Sequence, residues 1–249
     1  MFGKVRHAVS GTPNIVIDPT PAELVETAAA HIRAAASAAM AARGTFRIAL
    51  AGGSTPRALY PLLREGVDWS RARIFFGDER AVPPDDAQSN YRMARETLLD
   101  PARIPAANVV RWRAEDPDLD AAARDYEAAL TAGVAAPWLD LALLGLGPDG
   151  HTASLFPGTS ALAEEDRLAV AVDVPQMGTR RLTLTYPTLV GAREVCFLVT
   201  GKDKAVAMAA VVDAGHLPAA RIVRRVAPVT IFCDAPAASA LRRTKRQEP

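Results

Sequence analysis

The sequence predicts an α/β fold in which an open, largely parallel sheet carries helices on both faces, with additional mixed strands. Two observations lead to this prediction. Short, continuously apolar runs alternate with segments of helical periodicity, and glycine-rich turns separate them. At 249 residues, 49% of them hydrophobic, the chain is long enough to bury a large core. We expect a single domain over residues 1–249.

The first half of the chain alternates between strand and helix signals. NIVID predicts a strand, and residues 22–43 place apolar side chains at helical spacing until Gly44 ends the helix. FRIAL predicts the next strand, and STPRALYPLLR a helix with Ser54 or Thr55 as N-cap and Pro56 in its first turn. The same alternation continues through RARIFFGDER (strand end), SNYRMARETLL (helix), NVVRW (strand), DLDAAARDYEAALTAG (helix) and LDLALLGLG (strand).

The second half is richer in strand signals. RLAVAVDV, RRLTLTY, EVCFLVTG and VTIFCD predict strands, and KDKAVAMAAVVD predicts a helix between the last two. The chain ends in RRTKRQEP, and we expect residues 241–249 to form a frayed basic tail.

Charge and composition exclude several classes of partner. The chain has 29 basic and 28 acidic residues, so its net charge of +1 creates no global field for nucleic acid or an anionic membrane. The alanine-rich stretch 28–42 is interrupted by His31, Arg33 and Ser37, and is predicted to be a soluble helix rather than a membrane span. We therefore expect a monomer with a small-molecule ligand, no nucleic acid and no membrane partner.

The two cysteines predict the compartment. Cys196 and Cys233 both lie in apolar runs typical of buried strands, so free buried thiols are expected; a disulfide or a metal pair is the alternative. The N-terminus lacks the apolar core of a secretory signal. A cytoplasmic location follows as an expectation.

Segments that contain glycine, hydroxyl or charged residues directly follow four predicted strands. They are AGGSTP, GDER, GLGPDGHTASLF and TGKDK. Because ligands bind beyond the carboxyl ends of strands in open α/β sheets, we expect these segments to form one site.

AGGSTP places two glycines and two hydroxyls at the start of a predicted helix. Unpaired N–H groups and the helix dipole favour a phosphate there, so Gly52, Gly53, Ser54 and Thr55 are a candidate phosphate cradle. An ordinary capped turn explains the same residues equally well. Lys202 in TGKDK follows another strand and offers a positive charge to the same phosphate, although a surface lysine is the simpler interpretation.

GDER places Asp78 and Arg80 at one strand terminus. A cluster carrying both signs of charge is suited to orienting a polar substrate, and a surface turn is the alternative.

The segment GLGPDGH supports two interpretations. Gly145, Gly147 and Gly150 complete the G-x-G-x-x-G pattern of dinucleotide-binding loops. That pattern requires a helix to begin at the turn, whereas Pro148 and Asp149 occupy the turn here. We therefore favour the second interpretation, in which the glycines shape a loop that presents Asp149 and the histidine after it.

His151 is the candidate proton acceptor of that loop. A neutral imidazole, with a pKa of about 6.5, accepts a proton at working pH, and Asp149 lies close enough in sequence to orient it. The chain contains no G-x-S-x-G and no H-E-x-x-H, and the other histidines lack metal-ligand spacing, so no metal is expected. The residues alone indicate a phosphate-bearing small substrate and histidine-assisted proton transfer, and leave the reaction open.

Five segments together resemble the 6-phosphogluconolactonase family. They are LAGGSTPRALY, FFGDERAVPPDDAQSNYRMA, LGLGPDGHTASLFPGT, RRLTLTYPTL and VTGKDKA, and they run in the family's order from about residue 47 to residue 205. The resemblance implies a Rossmann-like sheet and hydrolysis of 6-phospho-D-glucono-1,5-lactone to 6-phosphogluconate in the oxidative pentose phosphate pathway, without a cofactor.

The resemblance also implies roles for individual residues. His151 would be the general base that activates water, and Asp149 would shape and polarise its loop. Gly53, Ser54 and Thr55 would meet the phosphate. Arg181 and Lys202 would be the cationic partners of the phosphate. Asp78 and Arg80 would line the pocket near the sugar ring.

The related glucosamine-6-phosphate deaminases provide the main alternative. Their pattern carries a glutamate five positions after the histidine, where it supports ring opening and proton relay. Here that position is Phe156, which cannot accept a proton. The lactonase interpretation is therefore favoured.

Overall fold

The structure, a computed structural model, describes residues 12–225 and 228–242. Seven of the residues of the predicted basic tail, 243–249, lie outside the described part. Nine strands and eight α-helices alternate along the described chain.

Six strands form an open sheet in which every pairing is parallel. The order across the sheet is β1-β9-β8-β5-β2-β3. These strands are β1 (Asn14–Asp18), β2 (Phe46–Leu50), β3 (Ala72–Phe76), β5 (Leu141–Gly145), β8 (Glu194–Val199) and β9 (Val229–Asp234). The central strands are almost entirely buried, as expected for a parallel sheet covered on both faces.

Three further strands form a small antiparallel sheet, in the order β4-β7-β6. They are β4 (Asp78–Arg80), β6 (Ala169–Val174) and β7 (Thr179–Leu184). Gly77 joins the two sheets, because its N–H donates to Leu50 O at 2.8 Å and its carbonyl accepts from Leu184 N at 2.8 Å. The predicted mixed strands are therefore a separate small sheet beside the carboxyl edge of the large one.

Helices flank the large sheet. They are α1 (Pro21–Arg43), α2 (Ser54–Leu59), α3 (Asn90–Ala94), α4 (Leu119–Thr131), α5 (Tyr186–Val190), α6 (Ala205–Ala209), α7 (Pro218–Arg225) and α8 (Ala235–Ala238). A capping box between Thr20 and Glu23 starts α1, and Gly44, with φ of 78°, ends it as predicted. The helices α3 and α6 each continue into a π-helical turn, at Arg95–Leu99 and Ala210–Ala214.

Aromatic side chains fix the strand ends that lead into the site. Tyr60 donates its hydroxyl to Ala51 O at 2.6 Å, directly after β2. At the end of β3, Trp112 Nε1 and the Tyr126 hydroxyl both donate to Phe76 O, at 3.0 and 3.1 Å. The Trp112 and Tyr126 rings stack at 3.5 Å. Each strand end therefore has its carbonyl satisfied inside the core.

Three sequence predictions about elements were wrong in detail. The segment NVVRW forms no strand; only Val109 bridges β3, at Ile74, and Trp112 turns into the core. GDER does not end one strand, because β3 stops at Phe76 and Asp78 opens a strand of the other sheet. The N-cap of α2 is Gly53 rather than Ser54 or Thr55.

Among the described residues, no single helix is both long and apolar enough to span a bilayer. The bent helix pair 202–224 meets those criteria only when its two parts are joined, and most of its apolar side chains are buried in the core.

Candidate active site

The loop after β5 is built around two glycines. Gly147 donates to His151 O at 2.8 Å, and Gly150, with φ of 78°, donates to Gly147 O at 3.0 Å. A Cβ on Gly147 would lie 2.0 Å from His151 Nδ1 and 2.7 Å from Asp149 Oδ1. The absent side chain is therefore what allows His151 and Asp149 to fold back over the turn. No helix begins here, so the dinucleotide interpretation loses its structural requirement.

Asp149 and His151 form a hydrogen-bonded pair. His151 Nδ1 lies 2.5 Å from Asp149 Oδ1, and the His151 backbone N–H donates to the same oxygen at 3.1 Å. Partial burial acts to raise the pKa of Asp149, but the hydrogen bonds from His151 outweigh it and the pKa lies below its usual value. With Nδ1 donating to a carboxylate, the nitrogen that is free to accept a proton is Nε2.

The imidazole of His151 rests on Phe156. The two rings stack at 4.0 Å with an interplanar angle of 24°, and Phe156 is buried. The Arg181 guanidinium lies 5.4 Å from the centroid of the Phe156 ring. Phe156 thus contacts both the His151 imidazole and the Arg181 guanidinium.

Asp78 connects this loop to the small sheet. Its Oδ2 accepts from the Ser154 hydroxyl at 2.6 Å and lies 3.8 Å from Arg181 Nη1. Its Oδ1 accepts from Asn90 Nδ2 at 3.1 Å. Burial lowers the pKa of Arg181, and the charge of Asp78 opposes that effect. Asp78 therefore acts as a buried anchor for three neighbouring segments.

Two arginines lie opposite each other on neighbouring strands of the small sheet. Arg80 of β4 pairs in register with Arg181 of β7, an arrangement in which like charges repel. The Arg80 Nη1 donates to Gln88 O, and the Nε of each arginine is buried without a hydrogen-bond partner among the described residues. Each guanidinium group therefore keeps one buried N–H donor without a partner among the described residues.

The candidate phosphate cradle follows β2. Gly53 has φ of 106° and lies at the N-terminus of α2. A Cβ on Gly52 would lie 1.9 Å from Asn90 Oδ1, so the glycine lets the buried Asn90 reach Asp78. The Thr55 hydroxyl bonds to the Thr200 hydroxyl at 2.7 Å, which joins the segments after β2 and β8.

Lys202 lies two residues after Thr200 and is exposed. Its ammonium group forms no ion pair with a described residue, whereas Lys204 pairs with Asp203 at 3.0 Å. Lys202 is therefore close to the cradle in the fold and has its charge available.

The predicted site residues thus lie along one edge of the sheet. Contacts lead from Gly52 through Asn90, Asp78 and Arg181 to Phe156 and His151, and the Thr55 and Thr200 contact adds the segment that carries Lys202. Ser54 makes no side-chain contact that ties it to this chain among the described residues.

Sequence reasoning did not single out Ser154, Asn90 or Thr200. Ser154 follows His151 by three residues within the same motif, so its place in GHTASLF was a signal that could have found it. Asn90 and Thr200 also lie in segments that resemble the family, SNYRMA and VTGKDKA, but their contacts join segments distant in sequence and could not be predicted from the motifs.

Two cavities lie outside this cluster. One of about 610 Å³ is lined by residues including Pro157, Leu162, His216 and Arg221. The other, of about 480 Å³, lies against β1 and α8. Neither cavity is lined by His151 or Asp149.

Known proteins are similar to this chain in sequence and in fold. Residues 19–231 match the sequence model described as glucosamine-6-phosphate isomerases/6-phosphogluconolactonase. A 6-phosphogluconolactonase of Mycobacterium tuberculosis is 43% identical over 227 residues, which cover 85% of this chain and 92% of that protein. One of Synechocystis is 45% identical over 187 residues, covering 73% and 77%.

Solved structures show the same fold. The 6-phosphogluconolactonase of Trypanosoma cruzi superposes with a TM-score of 0.82 at 35% identity, over 95% of this chain and 99% of that one.

Proposed function

The chain belongs to the glucosamine-6-phosphate isomerase/6-phosphogluconolactonase family, and from this premise we propose that it hydrolyses 6-phospho-D-glucono-1,5-lactone to 6-phospho-D-gluconate. This is the lactone-opening step of the oxidative pentose phosphate pathway. The observation that carries the proposal is the Asp149 and His151 pair, seated on Phe156 at the carboxyl edge of the sheet.

His151 acts as the general base. Its Nε2 takes a proton from a water molecule as the water oxygen bonds to the lactone carbonyl carbon. Asp149 holds the Nδ1 proton in place and stabilises the imidazolium that forms. When the bond between the carbonyl carbon and the ring oxygen breaks, the ring oxygen takes the proton from His151 and becomes a hydroxyl. The new acid then releases a proton to solvent.

The phosphate is held by the segments after β2 and β8 and by Arg181 of β7. The backbone of Gly52 and Gly53 and the hydroxyls of Ser54 and Thr55 supply hydrogen bonds. Arg181 and Lys202 supply positive charge, and the ammonium group of the exposed Lys202 forms no ion pair with a described residue.

Asp78 and Arg80 line the pocket near the sugar ring. Ser154 and Asn90 hold the Asp78 carboxylate at 2.6 and 3.1 Å, so it presents a fixed acceptor.

This reaction requires neither a covalent nucleophile nor a cofactor. A δ-lactone is an activated ester, so a base, an oriented water and charge stabilisation are sufficient. The deaminase reaction of related enzymes is less suited to this chain, because the position of their supporting glutamate holds the buried Phe156.

We further propose that the chain acts in the cytoplasm as a monomeric, single-domain enzyme. The two free, buried thiols are typical of proteins in a reducing compartment. Sedimentation equilibrium of the purified chain tests the monomer; a dimer mass at micromolar concentration would contradict it.

The reaction is tested by a panel of three ligands. We expect acid release from freshly made 6-phosphogluconolactone well above the spontaneous rate, no ammonia release from glucosamine 6-phosphate, and no thermal shift with NAD. Binding of 6-phosphogluconate without lactone turnover would instead indicate a sugar-phosphate sensor. Ammonia release would indicate a deaminase.

A further inference from the structure

Three side chains of the types that bind metal ions lie close together at the amino-terminal part of β8, on the edge of the sheet opposite the candidate active site. Glu194 and Cys196 are two residues apart on this strand, so both side chains point to the same face. The helix α1 places His31 over that face. His31 and Glu194 are separated by 163 positions in sequence, which is why sequence spacing gave no signal for a metal site.

The donor atoms are close enough to share one ion. His31 Nε2 lies 2.6 Å from Glu194 Oε1, Cys196 Sγ lies 3.8 Å from the same oxygen, and all three atoms lie within 4.8 Å of one another. Around a tetrahedral Zn²⁺, such donors are separated by roughly 3.3–3.7 Å, the edge length set by its usual bond lengths. Side-chain movements of about 1 Å would therefore bring the three donors into a coordination shell.

From this arrangement we propose that His31, Glu194 and Cys196 form a binding site for Zn²⁺. Imidazole nitrogen, thiolate sulfur and carboxylate oxygen are the three ligand types that zinc uses in proteins. Zn²⁺ takes the place of the thiol proton, which is released to solvent, and bonds to the sulfur lone pair.

Neighbouring residues restrain the proposed ligands, and the site stays partly open to solvent. The His31 ring packs edge-on against Phe232 at 5.3 Å between centroids, and Cys196 is fully buried in the sheet. The side chains of His31 and Glu194 remain 33% and 19% exposed. An ion can enter from that side and keep a water molecule as its fourth ligand.

The chain offers a sharp test because it contains only two cysteines. Chelator-treated protein is titrated with Co²⁺, whose charge-transfer band from a thiolate is a direct sign of sulfur ligation. We expect the band to saturate at one Co²⁺ per chain and to disappear on adding Zn²⁺. Because Cys233→Ser leaves Cys196 as the only thiol, this variant should retain the band in full.

The ligand variants complete the test. Cys196→Ser should lose the band, and His31→Gln and Glu194→Gln should each weaken Co²⁺ binding by more than about 10-fold. Lactone hydrolysis by these variants should equal that of the parent, because the site lies away from His151.

Two results would overturn the zinc site. One is the absence of a band in the parent and in Cys233→Ser at millimolar Co²⁺. The other is unchanged affinity in His31→Gln, which would assign the band to a cysteine acting without the cluster. Both results are obtained with the parent, Cys233→Ser and His31→Gln proteins. The test therefore does not depend on whether Cys196→Ser folds.

Discussion

At the residue scale, the position of His151, the proposed base, depends on the absence of a side chain at Gly147. His151 Nδ1 and Asp149 Oδ1 occupy the space that a side chain at position 147 would need. Gly145, two residues earlier, has no atom within 4 Å of its would-be Cβ. Replacing each of these two glycines by alanine therefore distinguishes a displacement of His151 from the general effect of losing a glycine.

We expect Gly147→Ala to lower kcat for the lactone by at least about 10-fold, because the new methyl group displaces the imidazole from its carboxylate partner. Gly145→Ala should leave kcat within about 2-fold of the parent, a change of less than about 0.5 kcal/mol in barrier. Steady-state kinetics measures both, with thermal unfolding as a check on folding. Equal kcat in the two variants would show that the base does not depend on this packing.

Lys202 has its own prediction at this scale. Lys202→Ala should raise KM for the phosphorylated lactone by roughly 10- to 100-fold, the usual effect of losing one charged hydrogen bond, and change kcat little. Lys204→Ala is the matched control, because Lys204 is already paired with Asp203. Kinetics with glucono-1,5-lactone, which has no phosphate, should show no effect of either substitution. A loss of activity on that lactone would remove Lys202 from phosphate binding.

At the element scale, Ser154 joins the loop after β5 to the start of β4. Its buried hydroxyl donates to Asp78 at 2.6 Å. Ser154→Ala should lower the free energy of unfolding by about 1–3 kcal/mol, because Asp78 loses a buried donor. Ser160→Ala changes an exposed serine of the same segment and should have almost no effect. Urea unfolding measures both, and equal stability of the two variants would contradict this role.

The sequence could predict most elements because their signals are local. Apolar runs identified the six strands of the large sheet, and Gly44 marked the end of α1. NVVRW has the same apolar character but forms no strand, because Trp112 packs into the core and stacks on Tyr126 instead of extending along the edge of the sheet. That contact joins residues distant in sequence, and no local pattern encodes it.

The same distinction holds for the site. The loop glycines, Asp149 and His151 lie in one contiguous motif, so their proximity could be predicted from the sequence, while their roles stay predictions. The contacts of Asn90 with Gly52 and Asp78, and the register that places Arg80 opposite Arg181, depend on how the two sheets meet.

At the scale of the whole molecule, one ion pair links α1 to β8 and makes stability depend on pH. The hydrogen bond to Glu194 raises the pKa of His31, although partial burial opposes it. Since the folded pKa lies above the unfolded value of about 6.5, the pair's contribution is fully present below that pH. It is lost as pH rises through the folded pKa.

We therefore expect His31→Gln to lose more stability relative to the parent at pH 5.5 than at pH 9. Urea unfolding in the presence of a chelator, which excludes metal binding, measures the difference. A difference that is the same at both pH values would show that the pair contributes nothing through protonation.

The central claim is that His151 activates the water that opens the lactone. The most direct test is the initial rate of acid release from freshly made 6-phosphogluconolactone at neutral pH, corrected for spontaneous hydrolysis, with His216→Ala as a control on an exposed histidine. We predict that His151→Ala loses roughly 10²- to 10⁴-fold in kcat while still binding 6-phosphogluconate, and that His216→Ala behaves as the parent. A normal rate in His151→Ala would contradict the claim and remove this histidine from the mechanism.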